Sequence, residues 1–213
     1  MDWPTTETEA IAVQNELQSL VDPTDHPGVV RRVAGLDVAY DGDHLAAAVV
    51  VLDRETLREV ERAVVVGETR FPYVPGLFAF REVPALLAAL DRLESAPDLL
   101  VCDGQGLAHP RRFGLACHLG VLTGIPAIGV AKNAFVGTHA ELGSERGATA
   151  ALVDNDETVG TALRTQNGIK PVYVSVGHRV SLATAVAHVL HLAPRYRLPE
   201  TTRLADRACR DGL

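Results

Sequence analysis

At 213 residues, with 47% hydrophobic and 22% charged side chains, the chain has enough apolar surface for one large domain, or at most two small ones. No apolar run approaches the roughly 20 residues of a membrane span, and the Met1-Asp2-Trp3-Pro4 start is not a basic-then-apolar export signal, so a soluble cytoplasmic protein is expected. The net charge of −7 disfavours a chain that binds nucleic acid over its whole surface, yet six arginines fall between Arg179 and Arg210, so one basic face remains available.

In chain order, residues 5–20 read as an amphipathic helix and Asp22 to Gly28 as a loop. Arg31 to Tyr40, Leu45 to Asp53 and Arg58 to Val66 read as three strands of an antiparallel meander, with "DGDH" as the first turn. A helix is expected over Leu77 to Leu93, disturbed at Pro84. Leu99 to Cys102 is a short, wholly apolar strand of the kind buried on both faces. Arg112 to Thr123 reads as helix, Ala127 to Val130 as strand and Gly137 to Gly147 as loop. Short strands follow at 148–154, 159–164 and 171–176, and helices over Ser181 to Leu192 and Thr201 to Arg210 close the chain. Cys102, Cys117 and Cys209 are scattered, without a CxxC pair, and fit neither a disulfide framework nor a zinc site.

A meander followed by helix–strand–helix–strand makes an α/β chain: a mixed central sheet, flanked by helices, typical of a ribonuclease H-like fold and expected as a single domain over 1–213. Asp37 lies late in the first strand and Asp103 just past the fourth; if these strands are neighbours, both carboxylates reach one edge. Singly, each is an ordinary strand-end Asp. As an adjacent pair they repel unless a proton or cation sits between them, and Mg²⁺ suits one or two carboxylates plus phosphate oxygens. On helix pattern alone Glu82 reads as a solvated glutamate.

The segments "GLDVAY" (Gly35–Tyr40), "FPYVPGLFAFRE" (Phe71–Glu82), "VCDGQGLAHPRRFGLA" (Val101–Ala116), "GVAKN" (Gly129–Asn133) and "LPETTRLAD" (Leu198–Asp206) occur in this order. Together they resemble endonuclease V, the deoxyinosine 3′ endonuclease family. The resemblance implies a ribonuclease H-like fold and Mg²⁺ or Mn²⁺ as cofactor. It implies a DNA repair enzyme that recognises deaminated bases, chiefly the hypoxanthine of deoxyinosine, and hydrolyses the second phosphodiester bond 3′ to the lesion, leaving a 3′-OH and a 5′-phosphate. By motif, Asp37, Glu82 and Asp103 would be metal-binding and catalytic, Lys132 would lie beside the scissile phosphate, and Asp206 falls where relatives carry His or Asp. The stiff tip Pro72-Tyr73-Val74-Pro75 would be a wedge entering the duplex; Val74 stands where Ile is common.

The same resemblance places Gly76, Leu77, Phe78 and Gly104 near a pocket for the flipped base, with Gly104 and Gly106 letting the backbone approach base and phosphate. His109, Arg111 and Arg112 are expected to open a helix and contact phosphate. His188 and His191, at i and i+3, lack a third ligand; His178 is expected to approach DNA or cap the next helix; Ser175 and Ser181 lack a nucleophile context. Two alternatives stand beside the main reading: an inosine-specific endoribonuclease using the same site, and a non-catalytic nucleic-acid-binding ribonuclease H-like module. Against the second, binding alone gains nothing from carboxylates beside phosphate. A monomer is expected.

Overall fold

The computed structural model describes residues 3–26 and 28–213; Met1, Asp2 and Pro27, assigned above to the leading segment and a loop, lie outside the described residues. Helix α1 (Glu7–Leu17) starts on a capping box, in which Thr6 Oγ1 accepts from the Glu9 N–H and the Glu9 carboxylate accepts from the Thr6 N–H, and it ends in a 3₁₀ turn, Gln18–Leu20. The meander follows as β1 (Arg32–Asp41), β2 (His44–Asp53) and β3 (Glu59–Glu68). Then come α2 (Ala79–Leu90), β4 (Leu99–Asp103), α3 (Leu115–Thr123) and β5 (Ala127–Ala131). The chain continues as β6 (Thr149–Asp154), β7 (Glu157–Leu163), β8 (Val172–His178), α4 (Leu182–Leu192) and α5 (Glu200–Asp211).

The strands form one eight-stranded sheet in the order β3-β2-β1-β4-β5-β8-β7-β6. β1, β4 and β5 are parallel neighbours, and every other pairing is antiparallel. Helices cover both faces. Ala34, Leu36 and Val49 pack with Val83 of α2 and Leu119 of α3 on one side. On the other, Val33, Val101 and Val174 pack with Val189 of α4, and Ala48 and Val50 with Ala205 and Ala208 of α5. β2 is buried on both faces for eight successive residues, which explains its unbroken apolar run. This is the mixed α/β, ribonuclease H-like arrangement the sequence implied.

Pro84 sits inside α2 as expected, where its missing N–H removes one rung of the helical ladder while Val83 and Leu86 stay fully buried. One expectation needs correction. The helix expected from Arg112 begins at Leu115, because Arg112 is left-handed (φ 51°) and Gly114 is extended. Residues His109, Arg111 and Arg112 therefore precede a helix rather than open it. In its first turn the Ala116 N–H donates to the Gln105 carbonyl.

Candidate active site

Parallel pairing of β1 with β4 runs as far as Leu36 opposite Cys102, so Asp37 and Asp103 each stand one residue past the last registered pair. Asp37 shares the α5 face of β1 with Gly35, where a Cβ would fall 2.1 Å from the Thr201 carbonyl oxygen. That close approach seats α5 against the strand and brings Asp206 to the same cleft. The cleft, of about 500 Å³, is lined by Asp37, Asp103, Lys132, Asp206 and Arg210 among others.

The electrostatics are those of crowded acids. Burial first, and then the Asp103 charge, push the Asp37 carboxyl up to about 7. Glu82, from α2, is 4% exposed; burial and then the charge of Asp37 hold it well above the usual carboxylate range. Its Oε1 accepts from the Tyr40 hydroxyl at 3.2 Å, and the Arg81 guanidinium lies 5.1 Å from the centre of the Tyr40 ring. Lys132 Nζ donates to Asp103 Oδ2 at 2.7 Å. Burial opposes the ammonium charge, but the Asp103 contact together with the charges of Asp37 and Asp206 raises the lysine above its ordinary value. Thus Asp37 feels the charges of Asp103 and Asp206, Glu82 feels those of Asp37 and Asp103, and Lys132 is paired to Asp103, although all are far apart in sequence.

Asp103 also lines a second cavity, of about 240 Å³, with Tyr73, Pro75, Gly76, Phe78 and Gly104. Tyr73 is 69% exposed at the tip of the Pro-rich loop, its ring edge-on to Phe78 at 5.8 Å. Val74 leans inward against the cluster of Ala10, Phe71, Leu77 and Phe80. Leu77 belongs to that cluster, 1% exposed, and does not line the cavity; the turn that carries Gly76 and Phe78 to the cavity sends the Leu77 side chain into the core.

The loop is fastened at one atom. The Gly76 carbonyl accepts from Gln14 Nε2 at 3.0 Å and Arg111 Nη2 at 2.7 Å, and His109 Nε2 lies 3.0 Å from it. Gln14 Oε1 accepts from Arg111 Nε at 2.5 Å. Gly76 has φ 80°, a conformation that favours glycine. Burial, followed by the nearby Arg111 charge, lowers His109 to about 4, which leaves it neutral with its Nε2 proton on the carbonyl. Arg112 is bound instead to Asp154 and Glu157, each at 2.7 Å. Gly106 is required by packing rather than by a ligand, because a Cβ there would lie 2.0 Å from the Val176 carbonyl oxygen.

The discounted residues have structural partners. Ser175 Oγ accepts from the Gly106 N–H, Ser181 caps α4, and His178 Nδ1 accepts from the Asp22 N–H. His191 and His188 face Arg54. The cavity residues Gln14, Gln105 and Phe135 were missed. Gln14 had a signal: it falls in the buried row Ala10–Gln14–Leu17 of α1, where a polar residue is out of place.

A family model described as Endonuclease V matches residues 15–207. The chain belongs to the endonuclease V family. It is 59% identical to endonuclease V of Streptomyces avermitilis over 99% of this chain and 94% of the relative, and the crystal structure of that protein superposes with a TM-score of 0.94 at the same coverage. The catalytic domain of human endonuclease V is 34% identical, with a TM-score of 0.91 over 98% of this chain and 97% of that one. Ciona intestinalis endonuclease V, 26% identical with a TM-score of 0.86 over 96% and 95%, was solved with a 23-mer DNA containing an inosine followed by a ribo-adenosine. Membership makes this protein a nuclease. No helix among the described residues is long and apolar enough to cross a membrane.

Proposed function

We propose that this endonuclease V is a metal-dependent DNA repair enzyme that accepts deoxyinosine and hydrolyses the second phosphodiester bond on its 3′ side, leaving a 3′-OH and a 5′-phosphate. The observation that carries the reading is the shared wall. Asp103 lines both a cavity with room for one nucleobase and a cleft of carboxylates with a lysine. A base lodged in the first puts nearby phosphates at the second.

The donor set fits Mg²⁺. Among the described residues no three His, Cys, Asp or Glu side chains form a ready-made cage. Mg²⁺ does not need one, because it keeps several waters and takes one or two carboxylates plus phosphate oxygens. Asp37 and Asp103 would hold it, with Glu82 behind them, and a divalent ion there would offset both the burial and the Asp103 charge that push Asp37 up. When bound, the ion supplies Lewis-acid polarisation of the phosphoryl oxygen and a water of lowered pKa. Lys132, 2.7 Å from Asp103, offsets charge that develops on the phosphate. The hydrogen bond from Tyr40 holds Glu82 in place. Tyr73 stacks where the base left the helix, and the fastened Gly76 loop fixes the cavity wall beforehand.

The test is direct: Mg²⁺ with matched DNA and RNA strands carrying one inosine, the cut mapped on each. A cut at the second phosphodiester 3′ to deoxyinosine supports the proposal, and a cut confined to RNA moves the substrate to inosine-containing RNA. Asp37→Ala and Asp103→Ala should each abolish cutting; full Mg²⁺ activity in either would refute the metal assignment.

A further inference from the structure

Beyond the carboxylate cleft lies a third concavity, a groove of about 590 Å³ between α5 and the segment that precedes it. It shares Lys132, Asp206 and Arg210 with the cleft, as the cleft shares Asp103 with the base cavity. The three therefore run in a fixed order across the surface: base cavity, carboxylates, groove. The groove's lining has five cationic side chains against the single carboxylate of Asp206, in a chain whose net charge is −7.

We propose that this groove binds the nucleic-acid strand on the 3′ side of the cut. Arg207 and Arg210 contact its phosphates, and Tyr196 with Arg203 forms a platform for a base. The polarity rests on the function proposed above: with the lesion in the first concavity and the cut on its 3′ side in the second, the continuing strand enters the third.

The side chains suit that ligand. Arg203, Arg207 and Arg210 follow at i, i+4 and i+7 and so share one side of α5. Each has an acidic partner on the same helix: Glu200 at 2.8 Å, Asp211 at 3.7 Å and Asp206 at 2.9 Å. The Arg207 and Arg210 pairs are open to solvent, and such pairs contribute little, so a phosphate can displace the carboxylate at small cost. Arg197 differs. It donates to the carbonyls of Lys132 and Pro171 and so braces the end of β5 rather than reaching outward. Tyr196 is 49% exposed, with the Arg203 guanidinium 3.6 Å from its ring centre. An exposed tyrosine ring with a guanidinium over it, beside a basic track, is what single-stranded nucleic acid uses, since every base has a π-face.

The experiment varies strand length on one side at a time. Deoxyinosine strands with a constant 5′ flank are extended from about two to about ten nucleotides beyond the cut, enough to fill a site of this kind. For the unsubstituted protein, kcat/KM should rise about tenfold with the 3′ extension. In the Tyr196→Ala/Arg207→Ala protein most of that gain should vanish, while lengthening the 5′ flank should affect both proteins alike. An equal 3′ gain in both proteins, or a loss confined to the 5′ side, overturns the proposal. Binding of a lesion-free single strand without Mg²⁺ separates the groove from the chemistry. Arg207→Ala should reduce the slope of log K against log salt by about 0.7, the value of one phosphate contact on a single strand. An unchanged slope overturns the groove whatever is cut. A changed slope with no cutting of any inosine strand supports the groove and counts against the endonuclease reading instead.

Discussion

Asp37→Asn should make this endonuclease V more stable and inactive. The Asp37 carboxyl is pushed from 3.8 to about 7 by burial and then by Asp103, so the folded protein holds a proton there that the unfolded chain releases. Between those two values the native state binds more protons. Stability is therefore fully present below pH 3.8 and is lost as pH rises toward 7, at about 1.4 kcal/mol per pH unit. By pH 8 the metal-free protein has lost about 4 kcal/mol on this account, an upper bound because the acids are coupled. Asn keeps the shape, and its side-chain oxygen can still accept from the Val38 N–H, a 2.9 Å bond in the present structure. Denaturant unfolding in EDTA should show the substituted protein more stable by about 2–4 kcal/mol at pH 8 and by about 1–2 kcal/mol at pH 5. Mg²⁺ should stabilise the original protein at pH 8 and have far less effect on Asp37→Asn. A gain of equal size at both pH values would refute the reasoning, because it would mean that no titrating repulsion had been relieved.

Three further substitutions probe the surroundings. Tyr73→Ala should weaken the preference for inosine over adenine more than it weakens affinity for undamaged DNA, measured by parallel cutting and binding assays; an unchanged preference removes the wedge. Gln14→Ala leaves Arg111 without its 2.5 Å acceptor and the Gly76 carbonyl without one donor, and should cost about 1–3 kcal/mol of stability and lower kcat/KM for an inosine strand. His118 is fully buried among Trp3, Phe80 and Phe113, with no hydrogen-bond partner for either ring nitrogen among the described residues, and burial lowers it to about 4. Its unfolded form binds the extra proton, so stability should fall by about 3 kcal/mol as pH drops from 6.5 toward 4; His118→Leu should flatten that fall in unfolding curves.

The meander, the apolar β4 strand and the closing helices were legible because each has a period or a turn residue of its own. Asp37 and Asp103 were legible as strand ends that a parallel pairing would join, and β1 does pair with β4. Glu82 was not legible from pattern. Its place in a helix says exposure, and only the α2 packing that buries Val83 and Leu86 reveals that the carboxylate is buried as well. Arg112 failed for the opposite reason. A basic pair before an apolar run reads as a helix start, but its guanidinium binds Asp154 and Glu157 on a hairpin more than forty residues on, and a local reading cannot see that far.

The same distinction separates what the cavity and the cleft require of the sequence. The cleft needs side-chain chemistry, and Asp37 and Asp103 announce themselves at strand ends. Part of the cavity wall is the Gly76 loop, whose carbonyl is held by Gln14, Arg111 and His109 from two other segments. None of those three reads as a pocket-former alone, since each is an ordinary polar residue whose role lies in the atom it fastens. A site that recognises its ligand through main-chain groups records its specificity in the residues that immobilise the main chain. Such residues are found by asking which buried polar side chains place all their hydrogen bonds on the loops that line one cavity. By that criterion Gln14, at 0% exposure and bound to Gly76, Phe113 and Arg111, ties both loops of the cavity wall together, and under the proposed function it would hold that wall in place for the base.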